Sequence, residues 1–174
     1  MFSLHNLIQD PKPTSTNGWK VFGGGSTKVE LRMTSDSKKL FVRNITGGGG
    51  KGVSKAMKLT AGRYVWGVYL ETSTGYATGN QFMLVKNGDK YPADVRYSGN
   101  AKYYLAPFEL NGHDDIELVL APPPVVDGRM NTQYFLLASE GDAEVVEQLH
   151  KQGYLEHPWF DGDTGMTLSL GEGA

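Results

Sequence analysis

Apolar and polar residues alternate along several short stretches of this chain, and this alternation predicts β-strands. The longest stretch is residues 63–73, in which alternate positions form one apolar face: Tyr64, Trp66, Val68 and Leu70. Further strands are predicted at residues 27–33, 39–45, 81–86, 102–110, 115–121 and 132–138. Turn-forming residues separate these stretches, so the pattern predicts an all-β protein built as a sandwich or a barrel.

Residues on the apolar face of each predicted strand are the expected core, because a sheet buries one face. The expected core residues are Val29, Leu31, Trp66, Val68, Leu70, Phe82, Leu84, Ile116, Leu118 and Leu120. Tyr69 falls on the other face of its strand, which makes it a candidate for a binding or assembly surface.

One helix interrupts the strand pattern near the C-terminus. Residues 143–152 have helical spacing, with Asp142 as the expected N-cap and Gly153 as the stop signal. Residues 154–174 are rich in Gly and Asp and are predicted to form an extended arm. We therefore expect a sandwich over residues 1–140, followed by a helix and an assembly arm over residues 141–174.

The predicted arm carries three large aromatic residues, Tyr154, Trp159 and Phe160. A lone tail with such residues would expose apolar area unless something covers it. We expect them to anchor the arm on a partner in an assembly. The alternative is that the arm folds back on its own sandwich.

Composition narrows the classes of function. The chain has 174 residues, a formal net charge of −2 and no cysteine. One domain fits this length. The charge argues against a general nucleic-acid binder or a binder of anionic membranes. The missing thiols exclude a disulfide scaffold, thiolate metal sites and a thiol nucleophile. We expect no signal peptide, because no cationic start followed by an apolar run occurs near Met1.

Candidate catalytic and metal-binding patterns are weak. His113 stands beside Asp114 and Asp115 in a predicted turn, where solvated side chains are the simpler interpretation. Glu71 and Glu109 lie on strands and could face one sheet surface as a glycosidase pair, but outward carboxylates on strands are usually solvated. The sequence therefore predicts neither a catalytic residue nor a cofactor.

Two loops resemble ligand-binding motifs only in part. The glycine run at residues 47–50 is not followed by the helix that a phosphate loop needs, so it predicts a flexible loop. Asp161, Gly162 and Asp163 resemble part of a calcium loop but lack its distal Glu. The sequence predicts no metal site.

Aromatic residues are the more informative set, because exposed rings can stack on the apolar faces of sugars. Trp66 alternates with Val68 and Leu70 and is therefore expected in the core. Tyr69, Tyr76 and Tyr97 are the candidate carbohydrate-binding residues.

Two segments resemble jelly-roll carbohydrate-binding modules. The start of the chain, Asn6-Leu7 followed by Asp10-Pro11 and then Gly18-Trp19, is similar to the opening of those modules. The segment from Leu59 through Gly62 to Tyr64 resembles their entry to a central aromatic strand.

A third segment resembles minor tail proteins of siphophages that infect actinobacteria. Residues 159–164, Trp-Phe-Asp-Gly-Asp-Thr, are similar to a signature near the C-terminus of those proteins, and residues 135–141 resemble the strand and Glu-Gly that precede it. The chain departs from the pattern after Thr164, where Gly165 replaces a proline, and the helix lies between the two elements.

This resemblance implies a non-enzymatic virion structural protein with a jelly-roll domain, made in the host cytoplasm and placed at the tail tip. Its partners would be other virion proteins and further copies of itself, with cell-wall glycan as a ligand during host attachment. Neither nucleic acid nor membrane is an expected partner. The alternative is a freestanding carbohydrate-binding module.

Overall fold

The computed structural model describes residues 2–73, 81–86, 89–91, 95–97, 102–112, 114–161 and 166–168. Short antiparallel strands dominate these residues. The first strands are β1 (Phe2–Leu4), β2 (Lys20–Phe22), β3 (Val29–Met33), β4 (Leu40–Asn44), β5 (Gly52–Leu59) and β6 (Gly62–Thr72). They are followed by β7 (Phe82–Lys86), β8 (Asp89–Tyr91), β9 (Arg96–Tyr97), β10 (Tyr103–Leu110), β11 (Asp114–Leu120), β12 (Gly128–Ser139), helix α1 (Glu140–Lys151) and β13 (Met166–Leu168).

The strands form two main sheets that pack face to face. One sheet has six strands in the order β3-β4-β12-β6-β10-β9, and the other has five in the order β2-β5-β11-β7-β8. A short pair, β1 with β13, stands apart from both. The predicted jelly-roll β-sandwich with one short C-terminal helix is confirmed. Among the described residues, no helix is long and apolar enough to cross a membrane.

The sandwich core lies between the two sheets. Trp66, on β6, is fully buried, and its ring centroid lies 5.4 Å from Phe82 and 5.6 Å from Phe135. The expected core residues are all buried except Leu31, which is half-buried against the cluster. Apolar residues at alternate positions of a strand share one face of the sheet, which is the reason that the core face could be predicted.

A second hydrophobic cluster, called the outer cluster below, lies on the other side of the six-stranded sheet. Helix α1 and residues 154–160 cover the sheet there. Its buried members are Leu4, Val65, Tyr103, Leu105, Leu136, Ala138, Ala143, Val146 and Phe160. The strands β6 and β10 are therefore buried on both faces, which explains why Val65 interrupts the polar positions of β6.

Helix α1 begins earlier than the predicted start. Its N-cap is Ser139, whose Oγ accepts a hydrogen bond from the Asp142 backbone N–H at 3.1 Å, so Asp142 lies inside the first turn. An acidic side chain in that turn still favours the helix through the macrodipole. Gly153 has a φ of +83° after the last turn, as a helix stop signal requires.

Residues 154–160, called the C-terminal segment below, pack on the six-stranded sheet of the chain itself. The indole Nε1 of Trp159 donates to the carbonyl of Phe135 at 2.8 Å, and Phe160 is 4% exposed within the outer cluster. This corrects the expectation that both residues are free to anchor on a partner, because Phe160 is buried against the chain's own sheet and Trp159 is half-buried there. Tyr154 is 75% exposed and is therefore still available to contact a partner.

Candidate functional site

The outer surface of the six-stranded sheet has two different halves. The outer cluster, helix α1 and the C-terminal segment cover β6 and β10, whereas β3, β4 and the first half of β12 carry polar side chains. Their neighbours Val29, Val42 and Met130 belong to the core, so the alternate residues point outward. We call this second half, together with Lys39 before β4 and Glu71 near the end of β6, the polar face. Its outward side chains are Glu30, Arg32, Lys39, Phe41, Arg43, Glu71, Arg129 and Asn131.

A single row of side chains crosses the polar face perpendicular to the strands. Arg32 on β3 is paired with Phe41 on β4, Phe41 with Asn131 on β12, and Asn131 with Glu71 on β6. Three strand spacings separate the ends of the row, a distance of about 14 Å. A guanidinium, an aromatic ring, a carboxamide and a carboxylate therefore succeed one another along one line.

Arg32 is held in place over Phe41. Its guanidinium carbon lies 4.0 Å from the centre of the Phe41 ring. Its Nε donates to Glu30 at 2.8 Å, and its Nη1 donates to the Met33 carbonyl at 3.0 Å. The side chain is still half-exposed. The result is a fixed planar group with unused N–H donors facing solvent.

Glu71 forms the charged end of the row. It accepts hydrogen bonds from Lys39 Nζ at 2.8 Å and from the Tyr69 hydroxyl at 3.1 Å, and Lys102 Nζ lies 3.6 Å away. Partial burial raises the pKa of this carboxyl, but the Lys39 hydrogen bond and charge outweigh it, so the pKa is lowered from its ordinary value. Glu71 is therefore ionised near neutral pH and is suited to accept hydrogen bonds, not to act as a general acid.

Asn131 lies at the centre of the row and holds an unused acceptor. Its Oδ1 is enclosed and receives no hydrogen bond from the residues that the structure describes. An enclosed carbonyl of this kind is costly to leave unpaired, so a hydroxyl that paired with it after a movement of the surrounding side chains would relieve that cost.

Tyr69 lies on the outer surface, as its alternation predicts, but its ring is packed. The rings of Tyr134 and His157 lie 5.9 Å and 5.4 Å from it, and Lys39 Nζ lies 5.7 Å from its centre. Burial, followed by the nearby Glu71 charge, raises the pKa of its phenol. Tyr69 consequently orients Glu71 through its hydroxyl and does not offer an open ring face for stacking.

The other predicted residues are not brought to this row. Tyr76 lies outside the described residues. For Tyr97 only the backbone is described, and it pairs with Tyr104 at the edge of the six-stranded sheet. His113, and Gly162 and Asp163 of the partial calcium loop, also lie outside the described residues, so these hypotheses remain predictions.

Glu71 and Glu109 cannot act as a pair. Both face the outer surface, but Glu109 lies opposite Arg63 on β6, eight residues from Glu71 along the same strand. At 3.3 Å per residue the separation is about 26 Å, whereas the two carboxyl groups of a glycosidase lie about 5–10 Å apart. Val65, which lies between these positions on β6, belongs to the outer cluster with Ala143 and Val146 of helix α1.

The glycine run at residues 47–50 does not form a phosphate loop. Strand β5 follows it directly, so no helix N-terminus faces it. The Asn44 Nδ2 donates to the Gly48 carbonyl at 2.8 Å, and the Gly48 N–H donates to Pro124 at 3.0 Å. The loop is therefore tied to its neighbours rather than open around an anion.

Sequence reasoning missed Arg32, Phe41 and Asn131. Alternation identifies Arg32 as an outward position of its strand, but the strand predicted over residues 132–138 begins after Asn131. Which strands are neighbours, and in which register, is set by contacts between distant parts of the chain, so their alignment in one row is not visible in the sequence.

Comparisons with known proteins bear on the fold. No family model matches the sequence, and no curated protein matches it. Among solved structures, the chain is similar to the CBM22-1 xylan-binding domain of Xyn10C from Paenibacillus barcinonensis, with a TM-score of 0.54, 14% identity, and coverage of 80% of this chain and 97% of that one. This likeness establishes that the fold is that of a carbohydrate-binding-module β-sandwich.

Two more distant similarities belong to the same kind of domain. One is TmCBM61 in complex with β-1,4-galactotriose, with a TM-score of 0.46, 14% identity, and coverage of 78% and 99%. The other is the CBM22-1–GH10 portion of Clostridium thermocellum endo-1,4-β-D-xylanase 10B with xylohexaose, with a TM-score of 0.48, 12% identity, and coverage of 80% and 29%.

Proposed function

We propose that this chain is a non-catalytic domain that binds carbohydrate on its polar face. The observation that carries the proposal is the row of Arg32, Phe41, Asn131 and Glu71 across four neighbouring strands. Planar donors and acceptors match the hydroxyls of a saccharide, and a row of this length suits a short oligosaccharide rather than one ring. The fold of a carbohydrate-binding module supports the same ligand class.

The geometry favours binding without catalysis. Glu71 has a lowered pKa and is held by two lysines, whereas a general acid in glycoside cleavage needs a raised pKa. The row therefore contains hydrogen-bonding groups but no acid and base placed on either side of a scissile bond.

We further propose that the domain is carried on a bacteriophage virion, as a minor tail protein that contributes to attachment to host cell-wall glycan. The signature at residues 159–164 and the preceding Glu-Gly support this setting. A freestanding carbohydrate-binding module is the second candidate, favoured by the fold likeness alone. Stoichiometric presence of the chain in purified particles, measured by mass spectrometry, supports the virion; its absence from them supports the second candidate.

Binding can be tested by affinity electrophoresis and calorimetry with soluble xylan, galactan, mixed-linkage glucan and purified actinobacterial wall polysaccharide. We expect binding to at least one of them. The variants Arg32→Ala and Asn131→Ala should each weaken it about tenfold, the effect of losing one hydrogen-bonding group.

The matched control is Glu117→Ala, an exposed residue on the outer face of the five-stranded sheet. It should bind like the parent protein, and circular dichroism and thermal melting should show that all three variants are folded. If Glu117→Ala weakens binding equally, the ligand does not bind specifically on the polar face. If none of the four polysaccharides binds, the proposal is wrong.

A further inference from the structure

Two arginines face each other on the polar face, one row from the proposed ligand contacts. Arg129 on β12 is directly paired with Arg43 on β4. Cross-strand partners of this kind have Cβ atoms about 5 Å apart, and like charges in these positions are destabilising. A sheet that keeps such a pair on its solvent side calls for a physical explanation.

The chain itself compensates only one member of the pair. Arg43 donates from its Nε to Asp127 at 2.7 Å and from its Nη1 to Glu30 at 3.3 Å. The guanidinium of Arg129 is exposed and has no ion-pair partner among the described residues. Its planar fork is therefore free to bind an anion from solution in two places at once.

The surrounding charge has the same sign. The polar face and its immediate contacts hold five cationic side chains, Arg32, Lys39, Arg43, Lys102 and Arg129. Three carboxylates lie among them, Glu30, Glu71 and Asp127. The chain as a whole carries −2, so this patch is positive against the overall charge.

We propose that the carbohydrate bound on the polar face is anionic, and that Arg129, with Arg43 beside it, binds its carboxylate or phosphate groups. This inference rests on the proposed function. Arg129 lies two residues from Asn131 along β12, about 7 Å, so a substituent of a ring bound at the central row reaches the arginine pair. The Arg129 guanidinium would then form its ion pair with the carboxylate or phosphate of the ligand.

The test compares two acidic polysaccharides with one neutral polymer. The probes are polygalacturonate, the same polymer after chemical reduction of its carboxyl groups, and a wall teichoic acid as the phosphodiester polymer. Poly-glutamate serves as an anionic polymer without sugar. We expect at least one acidic polysaccharide to bind about tenfold more tightly than the reduced polymer, and binding to weaken as salt rises.

The variants assign the effect to Arg129. Arg129→Gln should remove the preference for the acidic polymer, and Arg129→Lys should restore only part of it, because lysine keeps the charge but not the fork. The matched control is Arg63→Gln on the far end of β6, which removes the same charge from the same sheet surface and should leave binding unchanged.

Each negative result leads to a different conclusion. Equal binding of reduced and acidic polymers would overturn the anionic preference and leave carbohydrate binding intact. Equal binding of poly-glutamate would show unspecific charge attraction and overturn it too. Binding of none of these polymers would overturn this inference, and the proposed function falls with it only if xylan, galactan, mixed-linkage glucan and wall polysaccharide also fail to bind. Preference for polygalacturonate or for teichoic acid identifies which acid the pair recognises.

Discussion

At the scale of single residues, Glu71 joins groups from distant parts of the chain. Lys39 and Lys102 precede and follow it by about thirty residues, and both point at its carboxylate. Sequence alternation predicted that Glu71 and Tyr69 face outward. It could not predict the lysines, because their approach depends on strand order and on the loops that precede β4 and β10.

The lowered pKa of Glu71 has a consequence for stability. A carboxyl whose pKa is lower in the folded state stabilises the fold above its unfolded pKa, near 4.5, and this contribution is lost as the pH falls through the folded pKa. We expect unfolding free energy to decrease below about pH 4.5 in part through Glu71, and Glu71→Gln to flatten that decrease.

The measurement is urea unfolding between about pH 3 and 7. Glu117→Gln, an exposed carboxyl on the opposite sheet, is the control and should leave the shape of the pH dependence unchanged. If the parent and Glu71→Gln proteins lose stability in parallel on acidification, the Lys39–Glu71 contact does not contribute in solution.

At the scale of elements, a β-bulge in β12 determines how the two ends of the chain contact the six-stranded sheet. Pairing with β6 shifts by one residue between Gln133 and Leu136, and Tyr134 has a φ of +56°, which is unusual for an aromatic residue. The Phe135 carbonyl is consequently available to two side-chain donors, Asn6 Nδ2 and Trp159 Nε1, each at 2.8 Å. The bulge thus joins both ends of the chain to the sheet.

Asn6 supplies the side-chain contacts of the N-terminal segment with this bulge. Besides its bond to Phe135, its Oδ1 accepts the Leu137 N–H at 3.0 Å, and the side chain is buried. Asn6→Ala leaves the buried Leu137 N–H unpaired and removes one of the two donors to the Phe135 carbonyl, so we expect a loss of about 1–3 kcal/mol in unfolding free energy.

Chemical denaturation of two further variants makes this prediction specific. Asn6→Asp keeps the acceptor but not the donor and should fall between the parent and Asn6→Ala. Asn17→Ala, an exposed position in the same N-terminal segment, should change stability by less than about 0.5 kcal/mol. If Asn6→Ala also lowers the unfolding free energy by less than about 0.5 kcal/mol, the hydrogen bonds of the Asn6 side chain do not stabilise the bulge.

The elements also show where sequence reasoning succeeds. Strands β3 and β11 were predicted because each alternates between one polar and one apolar face. Strands β6 and β10 were predicted as well, although the outer cluster also buries part of their second face. Strand β5 was missed because Lys55 occupies an apolar-side position between Val53 and Met57. In the structure its amine reaches the Gln9 carbonyl at 3.2 Å, which permits a charged residue on that side.

At the scale of the whole molecule, the six-stranded sheet is shared between two tasks. Its β6 and β10 half is a second core, closed by helix α1 and the C-terminal segment, and its β3 and β4 half is left to solvent as the polar face. Glycine at position 67 fits the first task, because a Cβ there would lie 2.8 Å from a Leu105 methyl group. Packing on the covered half therefore stabilises the same sheet that carries the polar face.

The C-terminal segment offers the last prediction, which separates its folding role from an assembly role. Phe160 is buried in the outer cluster, whereas Tyr154 is exposed. Phe160→Ala should lower unfolding free energy by about 3–5 kcal/mol, the cost of removing a buried aromatic ring. Tyr154→Ala should change it by less than about 0.5 kcal/mol, as surface substitutions do.

Thermal and urea unfolding of the two variants, with binding of a hydrophobic dye as a measure of exposed apolar surface, check this expectation. Deletion of residues 154–174 should resemble Phe160→Ala in raising dye binding, because Leu4, Val65 and Tyr103 lose their cover. A deletion variant as stable as the parent would contradict the folding role and return Trp159 and Phe160 to the role of anchors for a partner. If Tyr154→Ala alone abolishes incorporation into particles while leaving stability intact, the segment serves both roles through different aromatic residues.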